Sequence, residues 1–219
     1  MNILNKFFDR IYCITVHDFY DRHEHVKKQL QNVDFDWIFS PPSQFIAPPH
    51  PPLGPTEISL MLGHMTCVWD AKMKGYEKIA IWEDDGVLIA SEDDMQLFFD
   101  NVPSDWECLY MGNASWNDEF SHLDRRPISE YVDLILWGTG SSFNAIRSSV
   151  YDLFIEEMMK FTDPVDFTCY KLFERLRSYS PAKGFFSDPI SYPNEHALEK
   201  ITQPLDATKY FPAKIIHGA

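Results

Sequence analysis

Cysteine is scarce and scattered. Cys13, Cys67, Cys108 and Cys169 lie far apart within apolar segments, with no CxxC and no Cys/His cluster. That spacing argues against a structural zinc site and for buried free thiols rather than a disulfide framework. Positive charge is short as well: 19 Lys and Arg stand against 33 Asp and Glu, a formal net charge of -14. This sign excludes a nucleic acid or an anionic membrane held by broad electrostatics, while leaving room for a small anion held through a metal. No run reaches the ~18 apolar residues that span a bilayer. The opening, Met1-Asn2-Ile3-Leu4-Asn5-Lys6-Phe7-Phe8-Asp9-Arg10, lacks the apolar run and small-residue cleavage site of a signal peptide. A cytoplasmic protein is therefore expected. GxGxxG and GxxxxGK[ST] are both missing, so neither a dinucleotide fold nor a P-loop is supported.

What is present can build a core. Of 219 residues, 45% are hydrophobic and 15% aromatic, which suits one larger domain over 1–219. Its centre is the stretch Ile79-Ala80-Ile81-Trp82-Glu83-Asp84-Asp85-Gly86. The apolar run is of strand type and too short for a helix. A strand apolar throughout is buried on both faces, as in a mostly parallel sheet. Open α/β sheets bind ligands beyond the carboxyl ends of their strands, which is where three acids stand here. A hard divalent cation with oxygen ligands is the simplest reason to collect them. Alternation along extended chain lets Glu83 and Asp85 point the same way. The plain alternative is a solvated acidic turn, with Gly86 serving only that turn.

The other elements follow in order. Ile11–Val16 reads as a buried strand, followed by His17 to Arg22 and a polar helix over His23–Gln31 with Val26 and Leu30 inward. Phe35–Phe39 reads as a second strand. Pro41 to Pro55 is too proline-rich for helix or central strand, and is either a loop bordering the ligand site or a surface excursion. Thr56 is the expected N-cap of a helix over Glu57–Lys74, closed by Gly75. Its stripe is Ile58, Leu62, Met65, Trp69 and Met73, and His64 either faces the site or packs inside. Ser91-Glu92-Asp93-Asp94 caps a helix carrying Met95, Leu97, Phe98 and Phe99. Cys108–Gly112, Tyr131–Trp137 and Phe143–Ile146 are apolar. Asn113–Glu130 reads as polar loop. Helices are expected from Ser148 and from Thr162–Asp166, and the tail is broken by proline.

This order of motifs resembles glycosyltransferase family 25, the lipopolysaccharide-type and collagen-type sugar transferases. The likeness covers about 30–190. It rests most on Leu53-Gly54-Pro55-Thr56-Glu57-Ile58-Ser59-Leu60-Met61-Leu62-Gly63-His64, which leads through Lys74-Gly75-Tyr76-Glu77 to Ile81-Trp82-Glu83-Asp84-Asp85. The opening strand with Asp21-Arg22 adds to it. So do Leu109 to Gly112, the small residues from Thr139 to Ala145, and Pro164-Val165-Asp166. Ser59 and Gly63 depart from the family pattern, which bears on the substrate more than on the class.

The resemblance implies an α/β fold: a single-domain GT-A type with a Rossmann-like, mostly parallel sheet and helices on both faces. It implies a nucleotide-sugar donor, usually a UDP-sugar, a glycan or glycoconjugate acceptor, inversion at the anomeric carbon, and Mn²⁺ or Mg²⁺. Metal ligands are then expected from Asp85 and Asp84. A further ligand near the C-terminus would be His196, ahead of His217. Glu83, Asp84 and Gly86 would meet the donor, and Asp21 and Arg22 would either touch the nucleotide or cap the first helix. Asp166 would accept the acceptor's proton or cap its own helix. Two rival readings stand beside this one: a nucleotide-sugar-binding protein of the same fold without turnover, and a Mg²⁺-dependent phosphohydrolase.

Overall fold

The computed structural model describes residues 2–43, 46, 53–113, 124–137, 143–182 and 185–187. The chain divides into compact units Met1–Asp188 and Pro189–Ala219, and every described residue lies in the first. Two parallel pairings build the nucleus of the sheet. Strand β1 (Arg10–Thr15) lies between β2 (Asp36–Phe39) and β3 (Lys78–Glu83), with Thr15 opposite Phe39 and Ile14 opposite Glu83. Beyond β3 the sheet continues through β9 (Phe143–Arg147), β5 (Cys108–Tyr110), β10 (Ser178–Pro181), β8 (Val132–Trp137) and β7 (Asp124–Pro127). Only β9 and β8 run against the rest. The sheet is thus mostly parallel in direction, although four of its seven pairings are antiparallel. Strands β4 (Val87–Leu88), β6 (Gly112–Asn113) and β11 (Phe186–Ser187) form a small second sheet.

Alternation on β3 feeds two cores. Ile79 and Ile81 join Tyr12, Ile14 and Ile146 beneath α3 (Pro55–Lys74), α5 (Tyr151–Met158) and α6 (Val165–Phe173). Ala80 and Trp82 join Ile11, Cys13 and Ala145 beneath α1 (Ile3–Phe7), α2 (Tyr20–Gln29) and α4 (Glu92–Asn101). Helices therefore cover both faces, as expected of this class. All four cysteines are buried and free, so the thiols act as small hydrophobes. Ser91 caps α4 with a reciprocal capping box to Asp94.

Helix α3 begins earlier than expected, with Pro55 in its first turn and Gly54 as N-cap rather than Thr56. Proline suits that position because its missing N–H has no intrahelical partner there. At the other end Gly75 closes the helix in the left-handed region, φ 72°. The buried face also differs from the expected stripe. Trp69 and Met73 are 50% and 79% exposed, while Ile58, Met61, His64, Cys67, Val68 and Ala71 face inward. Close approach explains this. A Cβ on Gly63 would sit 2.4 Å from Ser40 Oγ and 2.9 Å from Ile14 Cγ2. The small residues, not the large apolar ones, let the helix lie on the sheet.

Two strands of the main sheet fall where none was expected. Exposed edge strand β7 occupies part of Asn113–Glu130, and Arg125 and Arg126 leave it no apolar alternation. Strand β10 is polar in sequence yet buried throughout, so only its neighbours β5 and β8 define it. Most of Pro41 to Pro55, and the loop role expected of it, lies outside the described residues. No described helix is long and apolar enough to cross a membrane.

Candidate active site

Strand β3 ends at Glu83, and the next three residues turn. The Gly86 N–H donates to the Glu83 carbonyl at 3.1 Å. Strand alternation therefore stops at Glu83, and it does not place Asp85 on the Glu83 side as expected. The three acids are sorted between different partners instead.

Asp84 turns toward α2 and is 5% exposed. Its N–H donates to the Ile14 carbonyl, which ties the turn to β1. Thr15 Oγ1 donates to its Oδ2 at 2.5 Å and Arg22 Nη1 to its Oδ1 at 2.6 Å. The same guanidinium nitrogen lies 3.4 Å from Asp85 Oδ2. Asp85 sits at the rim, its side chain 34% exposed. His23 Nε2 lies 3.0 Å from Thr15 Oγ1 and 3.1 Å from the Val16 carbonyl. A carbonyl only accepts, so Nε2 carries the proton. Thr15 can then accept from His23 while donating to Asp84. Arg22 thus belongs to the site, whereas Asp21 is exposed in the first turn of α2.

Glu83 turns toward α3 and α6. His64 is 1% exposed, and its Nε2 lies 3.0 Å from Glu83 Oε1. His64 is thus packed inside, as one of the two expectations had it, and it meets the Glu83 carboxylate there. Asp166 stands in the first turn of α6. Burial of its carboxyl and the neighbouring Glu83 charge raise its pKa to about 6. The amides of Asp166 and Phe167, and His64, pull it back only in part. Its carboxyl thus meets amides at the start of its own helix while burial and Glu83 raise its pKa to about 6.

Gly86 is buried where a Cβ would meet Trp82 Nε1 at 2.9 Å and the Glu83 carbonyl at 3.4 Å. Packing of the turn on the indole already requires glycine. His196 and His217 lie outside the described residues. Among the described residues, no three His, Cys, Asp or Glu side chains form a group that could hold a metal ion. Asp84 and Asp85 supply oxygen donors of the kind a hard cation takes, with Arg22 sharing both.

Thr15, His23 and Asn144 escaped the sequence reading. Thr15 ends an apolar strand, and nothing local marks its hydroxyl. Asn144 is 4% exposed, and among the described residues neither of its side-chain polar atoms has a hydrogen-bond partner. Its register opposite Ile81 and Tyr110 puts it on the α3/α6 side of the sheet with Glu83. A single polar residue in Phe143-Asn144-Ala145-Ile146 was the available signal.

No family model matches the sequence, and no curated protein does. Among solved structures, the chain is similar to a glycosyltransferase involved in the glycosylation of the major capsid of PBCV-1. That match has a TM-score of 0.54 and 10% identity, over 84% of this chain and 94% of the other. The fold is of the GT-A kind. Looser likenesses join this chain to A197 from STIV (TM-score 0.44, 12% identity, 81% and 82% of the two chains). The inositol-1-phosphate CTP transferase from T. maritima is similar at TM-score 0.44 and 12% identity, over 88% and 76%. At these identities the GT-A likeness concerns the arrangement of the chain and leaves the chemistry to the site itself.

Proposed function

We propose that this protein transfers a sugar from a nucleotide-sugar donor, a UDP-sugar, to a hydroxyl of a glycan or glycoconjugate, with inversion, as in glycosyltransferase family 25. What most supports this is Asp166, a carboxyl with a pKa raised to about 6, beside Glu83 and His64. It stands at the carboxyl edge of a GT-A sheet whose next two acids, Asp84 and Asp85, meet Arg22. A general base works best when its pKa lies near the operating pH. The acceptor oxygen bonds to the anomeric carbon as the bond from that carbon to the phosphate oxygen breaks. The electron pair leaves with the nucleoside diphosphate, and the acceptor proton passes to Asp166. His64 holds Glu83 in place, and the Glu83 charge keeps Asp166 basic enough to take that proton. Arg22 offers positive charge beside the leaving diphosphate. Asp85 with Asp84 would hold Mn²⁺ or Mg²⁺, whose chemistry would be to neutralise the leaving group.

The test is a thermal-shift screen of nucleotide sugars with and without Mn²⁺, followed by transfer and donor-hydrolysis assays. One UDP-sugar should stabilise the protein selectively, and Asp85→Ala should remove that gain. Preference for an ADP- or CMP-sugar would overturn the donor assignment. Tight UDP binding without hydrolysis or transfer would favour a binding protein of this fold. Phosphate release from simple esters would favour the phosphohydrolase.

A further inference from the structure

The α3/α6 side of the sheet holds a polar group that the reaction above leaves idle. Asn144 is the second residue of β9, level with Ile81 and two residues short of the end of β3. It is buried, and among the described residues neither its amide nitrogen nor its amide oxygen has a hydrogen-bond partner. Ile81 and Tyr110 flank it across the sheet, so it shares a face with Glu83. The offset from Glu83 is about 7 Å along the strand and about 5 Å across it, within the span of one sugar ring. The Glu83 side chain is 17% exposed, so the face is open at that end. A buried amide without partners lowers stability, and valine would fill the same strand position without that loss. A donor and an acceptor held ready behind a site carboxylate are completed by a bound molecule.

Charge says what that molecule is. Glu83 and Asp166 place acid on this side of β3, whereas Arg22 stands on the α2 side with Asp84 and Asp85. A diphosphate is repelled by the first side and drawn to the second. The first side suits a neutral ligand whose groups both donate and accept, and the hydroxyls of a sugar do both. The amide matches a neighbouring pair of them: its nitrogen donates to one hydroxyl, and its oxygen accepts from the next. Asp166 takes the acceptor's proton, so the sugar on its side of the strand is the acceptor. We propose that Asn144 binds two neighbouring hydroxyls of the acceptor sugar and selects acceptors by their presence. A sugar lacking one of them would leave the buried amide unpaired again, and a site of that kind rejects such an analogue strongly. The proposal rests on the transferase reading and adds a residue that chooses the acceptor.

The experiment titrates the ¹⁵N-labelled full chain, with UDP and Mn²⁺ present, with the methyl glycosides of glucose, galactose, mannose and xylose. The side-chain amide signals of Asn144 are those missing from Asn144→Val. At least one glycoside should shift them, and Asn144→Val should bind that glycoside roughly tenfold more weakly, the worth of about one neutral hydrogen bond. Deoxy analogues of the same glycoside complete a double-mutant cycle. Loss of one hydroxyl should weaken binding to the wild type roughly tenfold and to Asn144→Val by less than about twofold. Asn144→Thr, which keeps a hydroxyl, should fall between the two. Calorimetry should find UDP and UDP-glucose affinities of both variants close to those of the wild type, and thermal unfolding checks that both fold. If no glycoside moves the amide while UDP binds, the inference is overturned and the nucleotide reading stands. A variant that discriminates the deoxy sugars as the wild type does would also overturn it, because another group would then read the hydroxyl. Weakened UDP-glucose binding with glycosides unaffected would place the amide on the transferred sugar, again overturning it. A wild type that binds no nucleoside diphosphate would sink the transferase reading, and the acceptor role with it.

Discussion

The two sides of the β3 terminus make different use of the same residue type. On the α2 side, Asp84 is buried but compensated: a hydroxyl and a guanidinium each take one oxygen. On the α3/α6 side, Glu83 and Asp166 lie close together with an imidazole between α3 and the strand, and Asp166 holds its proton to about pH 6. A compensated carboxylate is a fixed negative point, suited to holding cations and setting geometry. A carboxyl that is buried and has another acid beside it has its pKa raised, here to about 6. One strand end thus separates a carboxylate whose charge is compensated from one whose pKa is raised.

The hardest strike at this contrast is Asp166→Asn. It should cut kcat by about 10²–10⁴, the usual worth of a positioned base, while leaving nucleotide affinity nearly unchanged. It should also stabilise the fold at pH 7. The Asp166 pKa rises from 3.8 to about 6 on folding, so the folded state binds the proton more tightly than the unfolded chain. Stability then falls as pH rises from about 4 to 6, and the amide removes that loss, about 1–3 kcal/mol. Urea unfolding at pH 4 and pH 7 measures the difference. A variant destabilised equally at both pH values would mean that Asp166 is an ordinary helix-end acid.

On the other half, Asp84→Ala should destabilise the protein by about 3 kcal/mol at pH 7, because it leaves a mostly buried guanidinium with one partner fewer. Denaturant midpoints check it, and no loss would show that Asp85 alone satisfies Arg22. A finer probe is Glu83→Gln. Removing its charge should lower the Asp166 pKa, so the acid limb of the kcat profile moves to lower pH by less than about one unit. An unmoved limb would put the raised pKa down to burial alone. Smallest is Asn144→Val. An unpartnered buried amide costs about 1–3 kcal/mol, so the substitution should raise the unfolding midpoint by a few degrees. A fall instead would mean that the amide is satisfied in the folded protein.

Much of the frame was legible in the residues. Ile79 to Trp82, apolar throughout, could only be a strand buried on both faces, and the acids after it had to lie at the sheet's carboxyl edge. Gly75 and the Ser91 capping box act through local backbone chemistry, so their positions followed directly. The α3 stripe did not. Hydrophobic spacing finds the greasiest face, whereas Gly63 and Ser59 show that the closest face is chosen by size. Strands β7 and β10 had no local signature because their hydrogen bonds belong to partners distant in sequence. For Asp84, Asp85 and Arg22, the residue types were visible but their pairing was not, since a turn replaces the strand period after Glu83.

The order of residues by itself determined a two-faced α/β sheet with acids at one strand end, because apolar period and backbone caps are properties of neighbouring residues. Only the folded chain decided which acid meets a guanidinium and which meets another acid. Those meetings join Arg22 to residues 62 and 63 positions on, and His64 to one 19 positions on. Charge and burial act through space, and that space is set by how α2, α3 and α6 lie on the sheet.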